Sequence, residues 1–160
     1  MTSHSTPKLY EFRSRFRAPL AFVFRWCTDY TPDDPRLEGD DYVRRILRKG
    51  RRRVVYQDLE DLSDGWRWSH VVVDLHPPLG WHAEITGSHR DWSIDYELSR
   101  LPHGITELHF RGKRRTTPLG GKNPAKGQLE GELRGMWRRF GRALEADYRA
   151  TQKVPRSPRK

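Results

Sequence analysis

Cysteine is almost absent from this chain of 160 residues: Cys27 stands alone. That excludes an intramolecular disulfide and a zinc site built on several cysteines. Long hydrophobic runs are also missing. Only 34% of residues are apolar and mean hydropathy is −0.94, so no segment reads as a transmembrane helix. Met1 to Pro7 has no apolar stretch of the kind a secretory leader uses, and a cytoplasmic location is the expectation. The sequence holds no Gly-x-Ser-x-Gly elbow, Walker loop or dinucleotide fingerprint. No residue pattern calls for a metal or an organic cofactor.

Aromatic side chains, by contrast, are plentiful, with six each of Trp, Tyr and Phe. Each buries a large apolar area, which argues against disorder despite the polar composition. The length suits one compact domain. Bases exceed acids by 31 to 21, a net charge of +10, and 24 of the bases are arginine. Such an excess invites a nucleic-acid reading, but the run from Arg149 to Lys160 is basic without any acid and contains Pro155 and Pro158. A disordered N-terminus over 1–7, a single domain over 8–152 and a basic disordered tail over 153–160 are therefore expected.

Residues 8–17 alternate, with Tyr10, Phe12, Ser14 and Phe16 on one face and charged residues on the other, as in a half-buried strand. Pro19 opens a helical stretch to about Tyr30, with Leu20, Val23, Phe24 and Cys27 as its buried stripe. Residues 29–41 hold six acids with Pro32, Pro35 and Gly39, and read as an exposed loop with room for one helical turn. Six strands follow in hairpin succession: 42–48, 52–59, 66–75, 81–86, 90–98 and 105–115, separated by Gly- and Pro-containing turns. Asn123-Pro124 then signals a helix start. Leu129, Leu133, Met136, Trp137, Phe140, Leu144 and Tyr148 make one face of a helix reaching about Gln152. Gly127, Gly131 and Gly135 repeat on the opposite face. They predict either a weak, exposed first stretch or a segment that moves to admit a ligand.

An antiparallel sheet with one long amphipathic helix left to cover it is an α+β arrangement. A helix about 10 Å wide cannot fill the concavity of a curved sheet, so an internal cavity is expected. The run Phe16-Arg17-Ala18-Pro19-Leu20 before Phe24-Arg25-Trp26, then Asp29, resembles the opening of the START/Bet v 1-like superfamily, which includes polyketide cyclase-type proteins. Pro77-Pro78 before Trp81, Tyr96-Glu97-Leu98 before His103-Gly104-Ile105-Thr106, and Leu144 to Tyr148 fit the same pattern, so the resemblance spans about 8–150. It implies a helix-grip fold: a curved antiparallel sheet of about seven strands around a long C-terminal helix, with a pocket for an apolar or amphipathic small molecule. Members include lipid carriers, quinone-binding proteins, aromatase/cyclases and a ribosome-associated subgroup, so the fold does not select a function. Where some members have a glycine-rich loop between the second and third strands, this chain has only Lys49-Gly50-Arg51, which does not support a phosphate cradle.

The residues expected to line the pocket are Tyr10, Phe12, Trp92, Tyr96, Phe110, Trp137 and Phe140; Tyr56, Trp66 and Trp68 lie on strands with apolar groups on both faces. Any one of them is equally an ordinary core residue. Together they make a wall suited to flat rings, quinones or acyl chains. For acid–base chemistry or a two-His, one-carboxylate metal set, the sequence offers His70, His82 and Glu84, with His109 and Asp95. The alternation of His82 and Glu84 with Trp81, Ala83 and Ile85 places them on the solvent face. The hairpin 44–53 is the most charged local feature, with Arg44, Arg45, Arg48, Lys49, Arg51, Arg52 and Arg53. It reads as a solvated surface, or as a contact for RNA or an anionic membrane surface. The functional expectation is a small-molecule (lipid, quinone or polyaromatic) binding or transport protein. A cyclase/dehydrase-like enzyme and an RNA-associated protein are the alternatives.

Overall fold

The computed structural model describes residues 4–153. Most of the expected basic tail, and Met1–Ser3 of the expected disordered N-terminus, lie outside the described residues. Within that N-terminus Ser5 is held in place: its amide donates to the Thr116 carbonyl at 3.1 Å and its hydroxyl accepts from the Thr116 amide at 2.8 Å.

The chain runs β1 (Lys8–Phe16), α1 (Leu20–Thr28), α2 (Asp34–Glu38), β2 (Val43–Lys49), β3 (Arg53–Leu62), β4 (Gly65–His76), β5 (Gly80–Gly87), β6 (Arg90–Leu101), β7 (Ile105–Thr116), a single 3-10 turn at Pro118–Gly120, and α3 (Lys126–Gln152). The seven strands form one antiparallel sheet in the order β1-β7-β6-β5-β4-β3-β2. Five successive hairpins build β2 to β7, and β1 joins by pairing with β7. This is the helix-grip arrangement: the sheet curves around α3, and Trp137 and Leu144 of the helix are buried against it.

Period-two alternation selects the inner face. Phe12 pairs with Phe110, Tyr96 with Phe110, and Trp81 with Tyr96. Their rings pack across the sheet, with Phe12 and Phe110 stacked at 4.7 Å and Trp81 and Tyr96 also at 4.7 Å between centroids. Gly112 makes this packing possible, since a Cβ there would lie 2.7 Å from the Trp92 ring.

The long helix also protects the edge of the sheet. Glu130 accepts the Glu11 amide at 3.0 Å and Glu145 accepts the Arg17 amide at 2.8 Å. The helical rise from Glu130 to Glu145 is about 22 Å, and the strand rise from Glu11 to Arg17 is about 20 Å. The helix therefore runs alongside β1 in the same direction, and its carboxylates occupy edge donors that would otherwise invite another strand.

Two local expectations need correction. Helix α3 starts at Lys126 with Ala125 at its N-cap, not at Asn123-Pro124. Asn123 turns away and accepts from Arg114 at 3.0 Å through its side-chain carbonyl. The segment 29–41 is not simply an exposed loop. Helix α2 forms within it, Pro35 is buried, and Arg139 of α3 donates to the Glu38 carbonyl at 3.1 Å. Gly39, with φ of 75°, closes that helix in the left-handed region where glycine is unstrained. No helix among the described residues is long and apolar enough to cross a membrane.

Candidate functional site: a two-lobed interior cavity

Between the sheet and α3 lie two adjoining cavities of about 520 Å³ and 490 Å³. Glu38, Arg44, Tyr56, Ile85, Tyr96, Met136 and Trp137 face both, so they are lobes of one interior. The first lobe lies under α1, α2 and the C-terminal part of α3, where Trp26, Cys27, Tyr30, Leu37 and Phe140 contribute. The second extends along β4, β6 and β7 toward the start of α3, past Arg67, Arg90, Trp92, Phe110 and Arg114.

The expected aromatic wall divides. Tyr96, Trp137 and Phe140 face the first lobe, and Trp92, Tyr96, Phe110 and Trp137 the second. Tyr10 and Phe12 face neither. Tyr10 is fully buried, with its hydroxyl donating to the Pro124 carbonyl at 2.8 Å. Both are core residues behind the wall, because β1 is the edge strand that α3 covers most closely. Trp66 and Trp68 are exposed, while Tyr56 is buried and faces both lobes.

The charged hairpin is where the fold departs most from a reading of composition. Arg44 is not a surface residue: its side chain is 6% exposed. It donates to Asp58 at 2.8 and 3.0 Å and to Asp34 at 2.8 Å. The guanidinium also lies over the Tyr56 ring, 4.1 Å from its centroid, and 5.7 Å from that of Tyr42. Burial opposes its charge, but the Asp58 hydrogen bonds and the surrounding phenols outweigh that and hold the group protonated. Register explains the inward turn. Arg44 pairs with Asp58 on β3, whose inner-face residues include Val54 and Tyr56. Lys49 and Arg53 are exposed but paired, with Asp29 at 2.5 Å and Asp74 at 2.7 Å. Arg45, Arg48, Arg51 and Arg52 are exposed and have no ion pair among the described residues.

A polar group thus stands in the middle of an aromatic cavity. Burial raises the Glu38 carboxyl above the ordinary carboxylate range, against the opposing influence of the Tyr42 hydroxyl and Arg44. Burial likewise raises the Tyr30, Tyr56 and Tyr96 phenols and the Cys27 thiol. Neither Glu38 nor Arg44 was identifiable as a cavity residue from sequence. One sits in an acidic, proline-containing loop and the other in a basic run, where solvent exposure is the ordinary outcome. The signal that was available is the two-residue spacing of Tyr42, Arg44 and Ile46, which puts Arg44 on the apolar side of its strand.

The histidine and carboxylate candidates lie on the opposite, outer face. His82 bridges Asp95 at 2.7 Å through Nδ1 and Glu84 at 2.6 Å through Nε2, and Ser93 donates to Glu84 at 2.6 Å. With a carboxylate on each ring nitrogen, both nitrogens can donate only when the ring is protonated, and the two partners favour that charged form. Partial burial opposes that charge, but hydrogen bonds to Asp95 and Glu84 outweigh it and raise His82 above its ordinary value. His70 does not join them. Its register partners are Gln57 and Thr86, four residues along β4 from Asp74, which faces His82. His109 pairs instead with Glu11, a contact that lowers the Glu11 carboxyl. These residues tie neighbouring strands together on the outside of the sheet, away from the cavity.

No protein-family model matches the sequence, and a search of curated proteins finds no match. Solved structures do match. Zhui aromatase/cyclase from Streptomyces sp. R1128 superposes with a TM-score of 0.67 at 15% identity, over 93% of this chain and 98% of that one. Ara h 8.0201 gives 0.64 at 13% identity, over 91% and 99%. A START superfamily protein from Mycobacterium smegmatis gives 0.58 at 10% identity, over 89% and 98%. The chain therefore has the START/Bet v 1-like fold, and at these identities the likeness is one of fold.

Proposed function

We propose that this protein binds an apolar or amphipathic small molecule, such as a lipid, quinone or polyaromatic compound, within the two-lobed cavity. The observation that carries this reading is the cavity's lining: Trp81, Tyr96, Trp137 and Phe140 around the first lobe, continuing to Trp92 and Phe110 in the second. Broad ring faces with few polar tips suit flat or elongated apolar ligands. Native mass spectrometry of the protein purified from its own host tests it, supported by thermal shift against lipids, quinones and polyaromatics. A reproducible bound mass, or a ligand that raises Tm, supports the reading. An empty protein that none of these compounds stabilises refutes it.

A second reading, cyclase/dehydrase-like acid–base chemistry, is favoured by Glu38. A carboxyl raised by burial and facing both lobes is a candidate for proton transfer to a bound ligand. The phenols of Tyr30, Tyr42 and Tyr56 supply donors around it, and the similarity to an aromatase/cyclase accords with this. Turnover separates the two readings: an enzyme converts its bound ligand and loses that conversion, with binding retained, in Glu38→Gln, whereas a binding protein releases its ligand chemically unchanged. The basic hairpin gives weaker ground for RNA or an anionic membrane as partner, because Arg44, Lys49 and Arg53 are neutralised internally.

A further inference from the structure

The second lobe is lined by three arginines, Arg67 on β4, Arg90 on β6 and Arg114 on β7. Their acids are unevenly distributed. Arg67 donates to Glu60 at 2.8 Å through Nε. Asp58 is taken by Arg44, Asp40 and Glu132 sit at the exposed rim, and Glu38, which faces both lobes, makes no ion pair with Arg90 or Arg114. The Arg90 side chain has no hydrogen bond or ion pair among the described residues. Arg114 is 8% exposed and donates to Asn123 at 3.0 Å, but its Nε is buried without a partner. No carboxylate lies within ion-pair distance of either among the described residues.

The two side chains are neighbours by register. Arg90 pairs with Thr116 and Arg114 with Trp92, which makes Arg90 and Arg114 diagonal partners on the inner face, roughly 7–8 Å apart at Cα. Arg114 lies over the Trp92 ring, 5.8 Å from its centroid. Burial lowers Arg114 against the opposing influence of the Tyr10 hydroxyl; burial with the nearby Arg67 and Arg114 charges, against the weaker pull of Glu60 and Asp40, brings Arg90 down to about 10. Both are charged at neutral pH. Two such groups held together in a partly desolvated cavity repel each other and lack the anion that ordinarily accompanies buried charge. Trp92, Phe110, Tyr96 and Trp137 line the same lobe.

We propose that Arg90 and Arg114 form an anion subsite, and that the ligand of this cavity is an amphipathic carboxylate. Its carboxylate lies between the two guanidinium groups and its apolar body runs along Trp92, Phe110, Tyr96 and Trp137. This rests on the pocket reading above and adds a polarity to it: the charged end goes to the second lobe. Paired guanidinium groups recognise a carboxylate through parallel charge-assisted hydrogen bonds, which a neutral alcohol cannot replace.

The full chain is titrated with decanoate and with decan-1-ol by calorimetry, and with acetate alone. Wild type is expected to bind decanoate about ten- to a hundredfold more tightly than decan-1-ol. Arg90→Leu and, separately, Arg114→Gln should remove that preference by weakening decanoate binding about ten- to a hundredfold relative to decan-1-ol. Arg90→Leu should also raise the Tm of the ligand-free protein, because it removes one of two like charges that repel each other beside the cavity. A purely structural Arg90 would lower it. Equal affinity for acid and alcohol, or a preference that survives both substitutions, overturns the subsite and leaves the pocket standing. Acetate binding as tightly as decanoate also overturns the proposal, since the apolar body would then contribute nothing. If neither decanoate nor decan-1-ol binds while a quinone or polyaromatic raises the Tm, the carboxylate proposal falls and the pocket stands; if none of these compounds binds, both readings fail.

Discussion

Removing the Arg44 guanidinium tests whether the centre of this cavity is organised as described. Its side chain is 6% exposed, and its two carboxylate partners, Asp34 and Asp58, are 23% and 19% exposed. Breaking a buried ion pair by deleting one partner costs about 3–5 kcal/mol, chiefly because the remaining charge is left uncompensated. The two acids retain some water, which places Arg44→Met near the lower end, at about 3 kcal/mol. For a domain of this size that corresponds to a fall in Tm of about 6–12 °C. Adding Asp58→Asn to Arg44→Met removes one stranded charge and should restore about 1–2 kcal/mol. Arg45→Met, at an exposed position of the same strand, is the control and should stay within about 0.5 kcal/mol of wild type. Urea unfolding followed by tryptophan fluorescence measures all four proteins, with the m-value checked for constancy. If Arg44→Met and Arg45→Met have the same effect, or Asp58→Asn destabilises Arg44→Met further, then Arg44 is not the buried hub inferred here.

Other consequences are open to direct measurement. Gly127, Gly131 and Gly135 have open space where a side chain would project, so replacing all three with Ala should stabilise the protein by about 0.5–1 kcal/mol each. Stopped-flow ligand release then distinguishes their two readings: slower dissociation in the triple variant marks a moving segment, and unchanged dissociation marks a merely weak helix start. His82 is raised in the folded state, so its contribution is fully present below its unfolded value of about 6.5 and disappears as pH rises through the folded pKa. His82→Gln should therefore lower the urea midpoint at pH 5.5 and have little effect at pH 8.5; equal loss at both would contradict the imidazolium assignment. Ala83 is buried and faces the first lobe. Ala83→Leu should cut affinity for any ligand of that lobe at least about tenfold while circular dichroism stays native. Undiminished binding would place the ligand elsewhere.

Sequence alone determined the parts whose signal is local. Alternation in Tyr10-Phe12-Phe16 and Trp92-Ile94-Tyr96 can be satisfied only by a strand with one buried face, and the 3.6-residue recurrence of Leu133, Trp137, Phe140 and Leu144 only by a helix. With short turns between the strands, those periods leave little topology to choose, so the α+β arrangement and the cavity beneath the helix were legible. The outer-face position of His82 and Glu84 followed from the same alternation. Tertiary structure decided which charges meet. Arg44, Asp34 and Asp58 are brought together by strand register and by a helix inside a loop. A basic run and an acidic run, each ordinary as solvated surface, are therefore joined at the centre of the cavity. Whether a charge is paired depends on distances between residues far apart in the chain. Composition and spacing carry no term for those distances, and the same reason hid Arg90 and Arg114, which have no carboxylate partner among the described residues.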